Sequence, residues 1–203
     1  MRIIETGTAP NPRRVRIFLA EKGISGVAFE DVDLSRDLKT PEFTASNPMQ
    51  RVPVLILDDG PAICETMAIC RYFEEVQPEP PLFGAGAVGK AVVEMWNRRM
   101  ELGLFFHITQ VFRHLHPKMA DLEVPQVAEW GEANRPKAIA MLELLDQRLA
   151  QTPYIAGDAY SVADITALVA IDFMKPARIV RPEGLRNLER WYGDVSQRPS
   201  TRA

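Results

Sequence analysis

Residues 78–89 read Pro-Glu-Pro-Pro-Leu-Phe-Gly-Ala-Gly-Ala-Val-Gly, the strongest break in the 203-residue chain. Proline has no backbone N–H to give and glycine loses the most entropy on ordering, so neither a helix nor a strand is expected to run through such a stretch. The two sides of the break differ in kind. Before it, short β-prone runs alternate with helical spacing; after it, only helical spacing is found. The expected division is therefore an α/β domain over residues 1–78, a linker over 79–89 and an all-helical domain over 90–203.

The first part can be read element by element. Arg2–Glu5 is β-prone, and Val15, Phe18 and Leu19 then fall on one helical face before Gly23 stops the helix. A second β-prone run covers 27–34. Residues 35–50 show no clear period. Residues 53–57, the turn Asp58-Asp59-Gly60 and Pro61–Ile63 read as a hairpin. Ile69, Phe73 and Val76 restore helical spacing. The order is β-α-β followed by β-β-α. Beyond the break, helices are expected over Lys90–Leu115, Glu129–Ala150, Val162–Met174 and Glu183–Gln197. The run 163–173 is apolar nearly all round and belongs in the middle of a bundle.

Charge and cysteine content narrow the function classes. With 24 basic and 27 acidic residues the formal charge is -3, which is not the basic footprint of a nucleic-acid binder. No segment is long and apolar enough to suggest a membrane span, and the first residues put prolines and arginines where a leader peptide would need its apolar stretch. Two cysteines, Cys64 and Cys70, make neither a disulfide framework nor a metal cluster, so a reducing cytoplasm is the expected location. His114-x-His116 is not a metal site by spacing, because residues two apart diverge on a helix and no third ligand is near.

Three local patterns could carry chemistry. Pro53 stands at the mouth of a strand, where it is expected to start the strand, with a cis bond after Val52 as one option. If so, the Val52 N–H and C=O are left to pair with a peptide-like ligand, and an ordinary turn proline is the alternative. Cys64-Glu65-Thr66 lies at a strand-to-helix junction. Unpaired amides there suit a ligand carboxylate, Thr66 adds a hydroxyl, and Glu65 could meet an ammonium; simple capping is the alternative. Third, Thr8 to Pro12 leads into the first helix, with Asn11 expected as its N-cap and Pro12 as its first residue. A thiol placed there would be favoured as thiolate by the helix dipole and the donors around it.

The order of these patterns resembles the glutathione transferase family over nearly the whole chain. The matching stretches are NPRRVRIFLAEKG, NPMQRVPVLILDDG, CETMAICRYFEE and YIAGDAYSVADITALVA, the last with Ser161 and Asp164 as an S-x-x-D capping box. The resemblance implies a thioredoxin-like N-terminal domain that binds glutathione as co-substrate, with no metal or other cofactor. It also implies a helical domain supplying the pocket for a small hydrophobic electrophile, and a homodimer. Carried over by position, the Val52 backbone beside Pro53 would bind the cysteinyl part of glutathione, Glu65 and Thr66 the γ-glutamyl end, and Arg51 or Lys39 the glycyl carboxylate. Gln50 replaces the family's glycine in Asn-Pro-x-Gly, adding an amide contact or none. The usual tyrosine, serine or cysteine that activates the thiol is missing. Thr8 and Asn11 stand there instead, as in some bacterial members.

Along Lys90–Leu115, Met100, Leu104, His107 and Val111 share one face, expected either as bundle core or as lining of the hydrophobic pocket. Arg13, Arg14 and Arg16 are expected on a solvated face of the first helix. Conjugation of glutathione to an electrophile is the first functional reading, glutathione-dependent peroxide or disulfide reduction the second, and a binding protein of the same fold without turnover the third.

Overall fold

The computed structural model describes all 203 residues. They form two compact units, residues 1–81 with 199–203, and residues 82–198. In the first unit β1 (Arg2–Glu5), α1 (Pro10–Glu21) and β2 (Ala28–Asp31) are followed by the short α2 (Pro41–Ser46), β3 (Val54–Ile56), β4 (Ala62–Cys64) and α3 (Thr66–Val76). The sheet order is β2-β1-β3-β4, with β1 and β2 parallel and the other pairs antiparallel. The β-α-β and β-β-α order read from the sequence is present, in the thioredoxin-like arrangement that the family resemblance implies. α2 was not foreseen, because six residues are too few to display a period. It is set by Thr40, whose hydroxyl accepts the Phe43 N–H at 3.2 Å, and by Pro41 at its first position.

Alternation along the strands gives the sheet two buried faces. Ile4 and Val54, paired across β1 and β3, cluster with Leu38 and Phe43. Their neighbours Ile3 and Leu55, also paired, point the other way and are equally buried. α1 and α3 pack on each other and bury Val15, Phe18, Ile69 and Phe73.

The proline segment is not a loose tether. Lys22, at the end of α1, is completely buried. Its Nζ lies 2.6 Å from the Glu74 carboxylate and donates to the carbonyls of Pro78 (2.9 Å) and Pro80 (2.6 Å). Gln77 returns the contact through its Nε2 to the Lys22 carbonyl at 2.8 Å. Residues 79–81 therefore belong to the first unit rather than to a linker. The last five residues join it too, with Ser200 donating to Glu21 and Arg16 Nε to the Ala203 carbonyl at 3.2 Å. A five-residue tail has no periodicity from which this could be read.

The second unit is all-helical: α4 (Gly86–Arg98), a π-helical stretch (Arg99–Phe105) running into α5 (Phe106–Leu115), then α6 (Ala128–Leu149), α7 (Val162–Phe173) and α8 (Arg186–Ser196). The helix expected from Lys90 thus starts four residues earlier. Gly84 explains where the chain can turn into it. Its φ is +84° and a Cβ there would lie 2.6 Å from the Gly89 carbonyl oxygen, so only glycine fits. α7 is central, every residue from Val162 to Ile171 being buried. Asp164 at its third position accepts from the backbone N–H groups of Ser161 (2.9 Å) and Ile155 (3.0 Å), the Ser161 hydroxyl (3.0 Å) and the Trp191 indole (2.8 Å). Burial pushes its carboxyl up, against the pull of these donors.

α8 has no side-chain cap of its own, and Asp146 of α6 supplies one. Its Oδ1 accepts the N–H groups of Asn187 (2.8 Å) and Leu188 (2.9 Å), and its Oδ2 accepts the Asn187 amide at 3.1 Å. Asp146→Ala is expected to cost about 1–2 kcal/mol, the usual worth of a helix cap. Burial acts to raise the Asp146 carboxyl, but the bonds from Leu188 and Asn187 prevail and hold it below the ordinary aspartate value of 3.8. A carboxyl whose folded-state value is depressed stabilises above the unfolded value and loses that contribution as pH falls through the folded one. The stability gap between wild type and Asp146→Asn, measured by urea titration from pH 7 to 2.5, should therefore hold above pH 3.8 and close below it.

Candidate functional site

Strand register brings the strand ends from which the three sequence patterns run to one end of the sheet. Val54 pairs with Cys64 and with Ile4. Carried two residues on, the same registers set Val52 level with Thr66 on one side and with Thr6 on the other. The Val52–Pro53 bond is cis and the ladder begins only at Val54, so the Val52 amide and carbonyl lie outside it. Beyond Thr6 runs the loop to α1, held by Gly7 N–H on Asp31 (3.1 Å) and Arg16 on the Gly7 carbonyl (3.0 Å).

On the β4 side, Glu65 has φ 70° and ψ 124°, a conformation rare for any residue with a Cβ. It is exposed, whereas Thr66 is only 6% exposed. The first helical bond of α3 runs from the Ile69 N–H to the Glu65 carbonyl at 3.0 Å. The amides of Thr66, Met67 and Ala68 therefore open the helix without intrahelical acceptors. Strain of this kind in a helix-entry turn is commonly kept where backbone donors must be aimed at a ligand.

Gln50 also has a left-handed backbone, φ 52°, which accounts for the glycine usually found at that place. Its Nε2 donates to the Thr44 hydroxyl at 3.1 Å, so the side chain is engaged within the protein. Asn47, the first residue of the Asn-Pro-x-Gly pattern, organises this loop. Buried, it donates to the Arg51 carbonyl (2.8 Å) and accepts the Met49 N–H (3.1 Å). Asn-Pro at the head of a turn was the available signal. Arg51 and Lys39 are both exposed.

At the α1 end the expectation for Asn11 needs correcting. The helix starts at Pro10 with Ala9 as cap residue, so Asn11 lies in the first turn and is not the N-cap. Pro10 fits the first position better than Pro12 does, since a proline there loses no bond. Because Pro10 and Pro12 carry no N–H, Asn11 holds the one backbone donor among the first three helical positions. Its Oδ1 accepts from Arg14 Nη1 at 3.1 Å. Thr8 is exposed in the preceding loop.

The arginines are corrected as well. Arg14 is 2% exposed, and half-buried Arg16 pairs with Glu5 at 2.5 Å, so the helix face bearing them is not solvated. Cys64, half-buried, is pushed up by burial and by the Glu65 carboxylate, which keeps it a thiol at neutral pH.

In the second unit Met100, Leu104 and Val111 have no exposed surface and form bundle core. His107 is half-buried and its Nδ1 lies 2.6 Å from Asn134 Oδ1, while Asn134 donates to the Trp130 carbonyl at 2.7 Å.

Residues 8–76 match the family model described as glutathione S-transferase, N-terminal domain, and residues 128–194 the one described as glutathione S-transferase, C-terminal domain. Glutathione S-transferase 2 of Saccharomyces cerevisiae is 39% identical over 100% of this chain and 88% of its own length. This chain belongs to the glutathione S-transferase family. Among solved structures, a glutathione S-transferase domain-containing protein from Marinobacter aquaeolei VT8 superposes with a TM-score of 0.96 at 39% identity, covering 99% of this chain and 100% of that one. The family also reaches proteins with other names. Elongation factor 1-gamma 2 of Oryza sativa is 30% identical over 80% of this chain, which spans 38% of that protein. The full-length relative and the solved neighbours of comparable identity are transferases, and this chain is an enzyme of the glutathione S-transferase type.

Proposed function

We propose that the protein binds glutathione at the edge built by Thr6–Asn11, Val52 and Glu65–Thr66, and transfers its thiolate to a small hydrophobic electrophile. The observation that carries this reading is the register itself, which sets an unladdered Val52 backbone level with the donor-rich start of α3. The cysteinyl part of the tripeptide pairs with the Val52 N–H and C=O as an added strand. Its γ-glutamyl carboxylate takes the Thr66 hydroxyl and the first amides of α3, its ammonium meets Glu65, and its glycyl carboxylate meets Arg51 or Lys39. Gln50 shapes the loop without touching the ligand.

The thiol then lies by the start of α1, with Asn11 and Thr8 as the polar side chains that favour its charged form. The bound thiol gives its proton to solvent, the sulfur lone pair forms a bond to the electrophilic carbon, and the leaving group departs with its electron pair. Rate enhancement comes from positioning and from a lowered thiol pKa.

The test is calorimetric titration with glutathione together with turnover against chloronitrobenzene and hydroperoxide substrates. Binding with conjugation supports the proposal. Turnover of peroxide alone moves the activity to reduction, and binding with no turnover favours a binding or interaction protein of the same fold.

Thr66→Ala is expected to weaken glutathione binding by about tenfold with little change in kcat, since an anchoring hydroxyl acts equally on the bound and transition states. Unchanged affinity removes Thr66 from the site.

We also propose a cytoplasmic homodimer. No helix is long and apolar enough to cross a membrane. Val88 and Met95, seven residues apart on α4, share a face and are exposed, and exposed Leu102 and Phe106 follow them. A second copy covering this row accounts for its exposure, and light scattering should give twice 22.8 kDa at micromolar concentration. A monomer mass there contradicts it.

A further inference from the structure

Asn11 and Arg14 stand three residues apart on α1 and so face the same side. Arg14 is 2% exposed and donates from Nη1 to Asn11 Oδ1 at 3.1 Å. A guanidinium has donors and no acceptor, so it selects the oxygen end of the amide facing it. The Nδ2 group is thereby turned away from Arg14, and it joins the Asn11 backbone N–H as a donor at the start of the helix.

We infer that Arg14 is a positioning residue for thiol activation, holding Asn11 so that its amide NH2, rather than its carbonyl oxygen, meets the glutathione sulfur. The inference rests on the reading that Asn11 serves the bound thiolate. An Asn11 free to flip would present its oxygen to the sulfur in part of the molecules, and lone pairs repel a thiolate. The guanidinium also draws electron density toward Oδ1, making the Nδ2 hydrogens better donors. A guanidinium this buried, three residues beyond Asn11, serves no solvent interaction, and its hydrogen bond to Asn11 fixes the amide at the start of the helix.

The experiment is thiolate absorbance of bound glutathione against pH for wild type, Asn11→Ala, Arg14→Met and the double variant, with melting curves for each. Both single variants should raise the titration midpoint by about 0.5–1 pH unit. The double variant should rise no further than the larger single, because the two residues act as one donor. A wild-type midpoint in Arg14→Met overturns the inference, and so do fully additive shifts, which would mean that Arg14 acts on the sulfur directly. A wild-type midpoint in Asn11→Ala overturns the Asn11 reading and the inference with it, whereas a shift there without one in Arg14→Met overturns the inference alone. If Arg14→Met does not fold, Arg14→Lys carries the test. It keeps a charge and a donor but not the fork, so it should give a smaller rise that vanishes in the Asn11→Ala background; a rise that persists there overturns the inference.

Discussion

Asp164→Ala should cost the helical unit about 4 kcal/mol or more. The side chain is wholly buried, and its removal strands the N–H groups of Ile155 and Ser161 and the indole of Trp191, each left without its acceptor in a dry interior. A buried donor without a partner costs about 1–3 kcal/mol, and three occur together here. The variant also cuts the tie between the start of α7, the 155 loop and α8. Trp96, Trp130 and Trp191 all lie in the helical unit, so urea titration followed by tryptophan fluorescence reports on that unit alone. Asp164→Asn, which keeps one acceptor but turns an NH2 toward donors, should fall between alanine and wild type. A cost below about 1 kcal/mol for Asp164→Ala would show that the network is not what holds α7 in place.

Lys22→Met should destabilise the first unit by about 3–5 kcal/mol, the usual consequence of removing one partner of a buried ion pair. The Glu74 carboxylate loses its counter-charge, and the carbonyls of Pro78 and Pro80 lose their donor. Since the uncompensated charge is the main penalty, Lys22→Met with Glu74→Met should be less destabilised than Lys22→Met alone. Hydrogen exchange at β1 and β3 measures this unit directly. Equal protection in wild type and Lys22→Met would contradict the account.

Both effects come from groups whose importance is hidden in the linear chain. Periodicity made the strands, the long helices and the central α7 legible, because a repeating apolar face is a local property of the sequence. The S-x-x-D pair at Ser161 and Asp164 was legible for the same reason. Lys22, Asp146 and the 199–203 tail were not, since their partners lie 41 to 187 residues away. At the candidate site, the family pattern named Val52, Glu65 and Thr66, and the strand register sets the first of these level with the last. Asn11 was misplaced as a cap because two prolines compete for the helix start and a single sequence does not say which one wins. Arg14 looked like one of three solvated arginines. Burial separated it from Arg13, and no local feature of RRVR distinguishes the two. The Met100, Leu104, Val111 stripe shows the opposite limit, because helical spacing is the same for core as for a lined pocket.

The central claim is that one edge of the thioredoxin-like unit holds glutathione with its sulfur at the start of α1. A crystal structure of the glutathione complex tests this most directly. The account expects the cysteinyl backbone paired with Val52, the γ-glutamyl carboxylate on Thr66 and the α3 amides, and the sulfur within hydrogen-bond distance of Asn11 Nδ2, the Asn11 N–H or the Thr8 hydroxyl. Tripeptide density away from Val52 and Thr66, or none at saturating glutathione, would contradict it.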